Sequence, residues 1–270
     1  MQAGVAVADI ERNGVAIHYE VEGQGKPILL HTGGAGDLNV WRLAGYTEGL
    51  RADHRLILLD HRGQGKSGRP QGKASHRIEE YLDDISAVLD DAHVPRTAFL
   101  GASSGATIGY LFAEAHPDRL TALIDLDGID AESFSAAAQE AIRKFVHEVR
   151  TRGWTAIIEE IASDEGLSLN NPWVQKIAHE TDIDMGLLLV QAVANSGSKE
   201  PITVLEHLEI PCLILLNGQR VSGDSKELNR ILKAARGRAR VLEGTGHIRV
   251  CFESERTLPF IREFLDKVGA

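Results

Sequence analysis

Apolar positions along this chain follow two rhythms. Pro27-Ile-Leu-Leu30, Arg55-Leu-Ile-Leu-Leu-Asp60, Ala98-Phe-Leu100, Leu120 to Asp127 and Pro211-Cys-Leu-Ile-Leu-Leu216 are short, nearly unbroken runs. Such runs bounded by turn residues predict strands covered on both faces. Between them, apolar residues recur at three- and four-residue spacing, as in Ile78, Leu82, Ile85, Val88 and Leu89, with acidic residues on the other side. That spacing predicts a helix over 75–92 with one face against a sheet. Further helices are predicted over 41–50, after Ser103, over 224–235 and over 253–268, with a last strand at Arg240 to Glu243. At the N-terminal end, Asn13-Gly14 separates two alternating runs, Val5 to Ile10 and Val15 to Val21. This is a strong hairpin signal. Strands alternating with helices of these lengths predict an α/β fold, a mostly parallel sheet with helices on both faces. Functional loops then belong at the carboxyl ends of the strands.

The alternation stops at Gly128 and resumes at about residue 208. In between, Ile142, Phe145, Val146, Trp154, Ile157, Ile158, Ile161, Leu188 and Leu189 keep helical periods, with Asn170-Asn-Pro172 and Asn195-Ser-Gly197 as punctuation. Four or five helices are predicted, too many for a single crossover. The expected organisation is a core of residues 1–128 and 208–270, with a helical insertion at 129–207.

Ala98-Phe-Leu-Gly-Ala-Ser-Ser-Gly-Ala106 joins the end of a strand to the start of a helix. A serine between small residues at such a junction can sit on a sharp, strained turn that exposes its hydroxyl. The helix start then brings N–H groups and a positive dipole end close to it. With His31-Thr-Gly-Gly-Ala-Gly36, Asp60-His-Arg-Gly-Gln-Gly-Lys-Ser67 and Gly246-His247 in order, each beside the appropriate element, the chain resembles the α/β-hydrolases. The resemblance extends over most of the chain. It implies that the inserted helices form a cap (lid) over the sheet, and that the Asp60 to Ser67 turn is structural.

It also implies a catalytic set. A serine hydroxyl needs a neighbouring base, and the base needs a third group to fix its tautomer. The resemblance makes Ser103 the nucleophile and His247 the base. Together with the mechanics of the turn, it makes the N–H groups of Gly33 and Ser104 the oxyanion hole. Thr32 stands where most relatives have glycine, so its hydroxyl is a candidate to reach the site. The acid departs from the family's usual pattern, Gly-x-x-Asp after the penultimate strand, because this chain has Gly218-Gln-Arg-Val221. Asp127, at the rim of the strand after the serine turn, is where some relatives place it. Asp224 is the alternative acid, although Asp224-x-x-Glu227 also reads as a capping box. Asp125 shares a strand face with Asp127 if that strand stays regular.

Composition narrows the partners. The 270 residues carry a net charge of −10 and no long basic block, which argues against nucleic acid. The glycine-rich residues 33–36 lack a following Gly-Lys-Ser/Thr of a phosphate loop, and His54, His61, His76 and Asp60 lack metal-ligand spacing. Neither a cofactor nor a metal is expected. Cys212 and Cys251 suggest core thiols, there is no signal-peptide pattern, and no run is long enough for a membrane helix. A cytoplasmic enzyme acting on a small molecule, with no membrane partner, is the expectation; oligomeric state is left open. Trp41, Trp154, Trp173, Phe134 and Met185 are candidates for pocket walls, with core packing the favoured reading. The leading function is a serine esterase or lactonase acting on an apolar ester through an acyl-enzyme. The alternatives are cleavage of an activated carbon–carbon bond in a diketone, and a non-catalytic receptor for a hydrophobic ligand. Serine at the nucleophile position disfavours dehalogenase and epoxide hydrolase chemistry, which needs aspartate there.

Overall fold

The computed structural model describes residues 5–129, 135–196, 200–219 and 225–270. Its centre is one sheet of eight strands, in the order β1-β2-β4-β3-β5-β6-β7-β8. The strands are β1 (Ala6–Arg12), β2 (Val15–Glu22), β3 (Lys26–His31), β4 (His54–Leu59), β5 (Thr97–Ala102), β6 (Leu120–Leu126), β7 (Cys212–Asn217) and β8 (Ala239–Leu242). β1 and β2 form the predicted antiparallel hairpin around Asn13-Gly14, and β2 runs antiparallel to β4. All other pairings are parallel.

The unbroken apolar runs lie where the chain has cover on both sides. Successive residues point to opposite faces of a strand. Leu29, Ile57, Leu59, Phe99 and Leu123 accordingly join one core cluster. Ile28, Leu30, Leu56, Leu58 and Ile124 join the other. On the first face lie α3 (Ile78–Asp91) and α4 (Ser104–Ala115); on the second lie α1 (Asn39–Leu43) and α2 (Tyr46–Leu50). The single helix predicted over 41–50 is two short ones, because Gly45 takes φ +85° and breaks the repeat.

The insertion comprises α5 (Ala136–Arg152), α6 (Trp154–Asp164), α7 (Pro172–Glu180), α8 (Ile183–Ala194) and α9 (Pro201–His207). After β7 come α10 (Ser225–Ala235), α11 (His247–Phe252) and α12 (Ser254–Val268). The predicted closing helix thus has a separate, short forerunner that begins at His247. The insertion forms a cap over the carboxyl ends of the strands. It has a small apolar cluster of its own, built on Val146, Val149, Ile157 and Leu187. Leu189 of α8 joins the first core cluster, while Ile158 of α6 and Ile177 of α7 join the second. The cap is therefore packed into the core as well as set above it. Among the described residues, no helix is long and apolar enough to cross a membrane.

His31 closes β3 with its ring stacked on His61 at 5.5 Å, and it is fully enclosed. Burial and the neighbouring His61 push its pKa down to about 3, against a smaller opposite pull from the Thr32 carbonyl. Unfolded, the same ring takes up a proton near its ordinary value of about 6.5. The stability contributed by this neutral ring is therefore present above that value and is lost as pH falls towards 3. The unfolding free energy from urea titration should drop between pH 7 and pH 5, by at most about 1.4 kcal/mol per pH unit from this group. His31→Phe should make the decline shallower; an unchanged slope would remove His31 from the account.

Candidate active site

Ser103 stands between β5 and α4 with φ +55° and ψ −133°. A non-glycine residue there costs roughly 1–3 kcal/mol, and the surrounding chain must hold it in place. Two glycines make the turn possible. A Cβ on Gly101 would lie 2.5 Å from Ala106 Cα, and one on Gly105 would lie 2.4 Å from the Thr32 carbonyl oxygen. The close approach of Gly105 brings the loop after β3 against the start of α4. Ser103 N–H is anchored to the Leu126 carbonyl at 2.9 Å.

The Ser103 hydroxyl lies 3.1 Å from His247 Nε2, to which it can donate. On the other side of the ring, Nδ1–H donates to Asp127 Oδ2 at 2.7 Å. The three side chains form the hydrogen-bonded chain of a Ser–His–Asp triad. They come from the ends of β5 and β6 and from the loop after β8, far apart in sequence.

The choice of carboxylate follows from the backbone. β6 does not continue regularly past Leu126, because Asp127 turns to φ +59°. Asp125 and Asp127 therefore take different partners instead of sharing a face. Asp125, fully buried, accepts from Tyr110 Oη at 3.0 Å and from Gly128 N–H at 2.6 Å, which braces the turn. Asp127 accepts from His247 and from Asn217, whose N–H is 3.0 Å from Oδ1 and whose Nδ2 is 2.6 Å from Oδ2. Asp224 and Val221 lie outside the described residues.

Asn217 was not singled out from sequence, although a polar residue ending the apolar run Cys212 to Leu216 at the carboxyl rim was a usable signal. Cys251 is a second such residue. Its thiol donates to the Leu126 carbonyl at 3.4 Å and its sulfur is 3.9 Å from His247 Nε2. Burial pushes that thiol above its ordinary pKa, so it stays protonated in neutral solution.

Desolvation disfavours a charged His247, and the Asp127 carboxylate bonded at Nδ1 opposes it and draws the ring's pKa upward. With the thiol neutral, the carboxylate is the charge that matters at physiological pH. The ring still keeps 45% of its surface open, on the side of the cavity.

Gly33, Gly34 and Ser104 form the other side of the site. Gly34 N–H donates to Ser104 Oγ at 3.0 Å. Gly33 N–H is left without a protein acceptor among the described residues. Ser104 opens α4, where first-turn N–H groups have no acceptor within the helix. The Thr32 hydroxyl faces the Gly36 carbonyl at 3.5 Å and not the serine. Part of the cap pins this loop from above. Gly36 N–H donates to Thr181 Oγ1 at 3.0 Å, and Lys176 pairs with Asp37 at 2.9 Å. Gln64 grips both backbone groups of Asp182, at 2.7 and 3.3 Å.

Above the triad lies a cavity of about 700 Å³. Its walls include Ile142, Phe145, Trp154, Ile158, Leu187 and Val190 from the cap. Lysine and arginine are absent from its described lining, and its carboxylates are Asp127 and Glu227. Of the aromatic candidates, Trp154 reaches the cavity, whereas Trp41 and Trp173 are core residues. Met185 packs against Gly63, and Phe134 lies outside the described residues. No group of three or more potential metal ligands occurs among the described residues.

Comparison with known proteins agrees with this geometry. The family model described as alpha/beta hydrolase fold matches residues 26–152. A putative carbamate hydrolase, RutD, of Azorhizobium caulinodans is 40% identical over 112 residues, which span 42% of this chain and only 41% of that protein. A 3-oxoadipate enol-lactonase of Acinetobacter baylyi is 27% identical over 218 residues, 76% of each chain. The structure of a thermophilic esterase from Thermogutta terrifontis superposes with TM-score 0.76 at 26% identity, covering 98% of this chain and 100% of the other. The chain has the α/β-hydrolase fold. It carries the triad arrangement of a serine hydrolase within it.

Because only neutral His247 can accept the serine proton, its raised pKa should place the acid limb of kcat/KM above the ordinary histidine value. Asp127→Asn should lower kcat by roughly four orders of magnitude and move that limb to lower pH. Asp224→Asn should leave kcat/KM nearly unchanged. A collapse in Asp224→Asn with Asp127→Asn close to wild type would reverse the assignment of the acid.

Proposed function

We propose that this protein is a serine hydrolase that cleaves a small-to-medium carboxylic ester or lactone with a neutral, largely apolar acyl group or ring. The observation that carries the reading is the Ser103–His247–Asp127 chain at the floor of an apolar cavity. Names of the relatives, a carbamate hydrolase, an enol-lactonase and an esterase, support acyl transfer as the shared chemistry.

In the proposed mechanism Ser103 Oγ attacks the substrate carbonyl while His247 Nε2 takes the hydroxyl proton. Asp127 accepts from Nδ1–H, so Nε2 is the nitrogen free to face the serine, and the carboxylate stabilises the imidazolium. The N–H groups of Ser104 and Gly33 receive the oxyanion. One such donor contributes roughly 2.7–4 kcal/mol to the transition state. His247 then protonates the leaving alkoxide, or the ring oxygen of a lactone. Water, activated by the same imidazole, releases the acyl group and restores Ser103.

The apolar cap walls fit the acyl group. The missing cation in the described lining disfavours a substrate carboxylate, whose charge would find no ion-pair partner there among the described residues. The proposed division is a core of 1–128 and 208–270 with a cap at 129–207, supported by the cap residues in the cavity wall. A cytoplasmic location is supported by Cys212 and Cys251, both free and buried. The receptor alternative rested on valine in the usual acid position, and Asp127 removes that ground.

A fluorophosphonate should label wild-type protein stoichiometrically at Ser103. p-Nitrophenyl esters of increasing chain length and a lactone panel should be turned over, with Ser103→Ala as the blank. Ser103→Ala should lose several orders of magnitude in kcat while remaining folded. Labelling at Ser104 would mean a different nucleophile. Cleavage of a diketone with every ester and lactone inert would move the reading to carbon–carbon hydrolysis.

A further inference from the structure

α11 begins at the residue that accepts the serine proton, yet nothing in its own sequence caps it. The residue before it is Gly246, with no side chain to receive the first N–H groups, and the helix is only six residues long. A helix of that length has little stability of its own. Its missing cap comes from elsewhere in the chain. Glu165, which ends α6 in the cap, accepts Ile248 N–H through Oε1 at 3.0 Å and Arg249 N–H through Oε2 at 2.9 Å. Glycine at 246 makes room for this carboxylate, since a Cβ there would lie 2.2 Å from Glu165 Cδ. Arg249 adds a second fastening, donating from Nη1 to the Glu165 carbonyl at 3.1 Å while its other nitrogens hold Glu253.

We infer that Glu165 is a positioning residue for His247, one that makes the Ser103–His247 hydrogen bond depend on a seated cap. The inference rests on the reading of His247 as the base. If α6 lifts away, two N–H groups next to His247 lose their acceptors in a buried setting, where an unmet donor is costly. The short helix then has no reason to keep the imidazole 3.1 Å from Ser103 Oγ. Cap closure and assembly of the base thus become one event. Thr181, which accepts from Gly36 in the loop after β3, and Asp182, held by Gln64 in the loop after β4, give the cap a second hold on the core. Water and substrate would meet an assembled triad only once the cavity is roofed.

The test compares Glu165→Ala, Glu165→Gln and the control Leu205→Ala. Leu205 is fully buried in α9, away from the cavity lining. Turnover of a p-nitrophenyl ester is expressed per active site, counted by exhaustive fluorophosphonate labelling. The low-field proton resonance of His247 Nδ1–H is recorded alongside. In Glu165→Ala, per-site kcat should fall by up to roughly hundredfold, as expected for a misplaced catalytic group. KM should stay within about twofold, and the resonance should weaken or vanish. Glu165→Gln should recover part of the loss, because its amide oxygen still accepts one N–H. Leu205→Ala should lower Tm and leave per-site kcat within about twofold. A purely structural role predicts a lowered Tm with wild-type per-site kcat and resonance in Glu165→Ala, and that result overturns the inference. So does a raised KM at unchanged kcat. Should Glu165→Ala fail to fold, Glu165→Gln and Glu165→Asp carry the test, and wild-type kcat and resonance in both reject it. Wild-type protein that neither labels nor turns over would refute the proposed hydrolase, while the resonance still decides the positioning role.

Discussion

The Asp127 carboxylate has no solvent contact at the end of β6, and its charge would be strongly destabilising there unless donors met its oxygens. Among the donors of the described residues are the Asn217 N–H, the Asn217 amide and His247 Nδ1–H. They come from two consequences of the fold. The pairing of β6 with β7 puts Asn217 beside it, and the loop after β8 delivers the histidine. Asn217 uses both its backbone and side-chain donors on the one carboxylate, which leaves that group little freedom to rotate. The imidazole tautomer, and with it the nitrogen that faces Ser103, follows from that fixed acceptor.

The cap contributes more than a lining. Glu165 connects it by hydrogen bonds to the start of α11, Thr181 to the loop after β3 and Asp182 to the loop after β4. Its apolar walls line the space above the serine. In such a space the proposed oxyanion donors, the N–H groups of Gly33 and Ser104, would act on a developing charge with less screening than in water. Cys251 sits at the margin of this arrangement. As a neutral thiol bonded to the Leu126 carbonyl, it fills the space beside the imidazole without competing for its proton.

Much of this was legible along the chain, because period and turn chemistry are local properties. Unbroken apolar runs announced strands with two covered faces, and residues 28–30 and 56–59 indeed divide between the two clusters by parity. Small residues around Ser103 announced a junction that only glycine can pack at positions 101 and 105. Where the reading went astray, the cause was again local. Gly45 split a helix that its apolar spacing would have allowed to continue. The strand holding Asp125 and Asp127 was treated as regular, but the positive φ of Asp127 sends the two carboxylates to different partners.

By itself the sequence determined the order of elements, the place of the serine turn, the helical character of the insertion and the lack of a long basic block. Each depends on neighbours within a few residues, so each is written in spacing. Only the tertiary structure decided which acid meets His247, and that Asn217 braces it. It alone revealed that a glutamate from the cap closes the end of the helix carrying the histidine. Those partners are separated by 120, 90 and 83 residues. A contact across such a distance exists only once the sheet has placed its strand ends together and the cap has been packed above them.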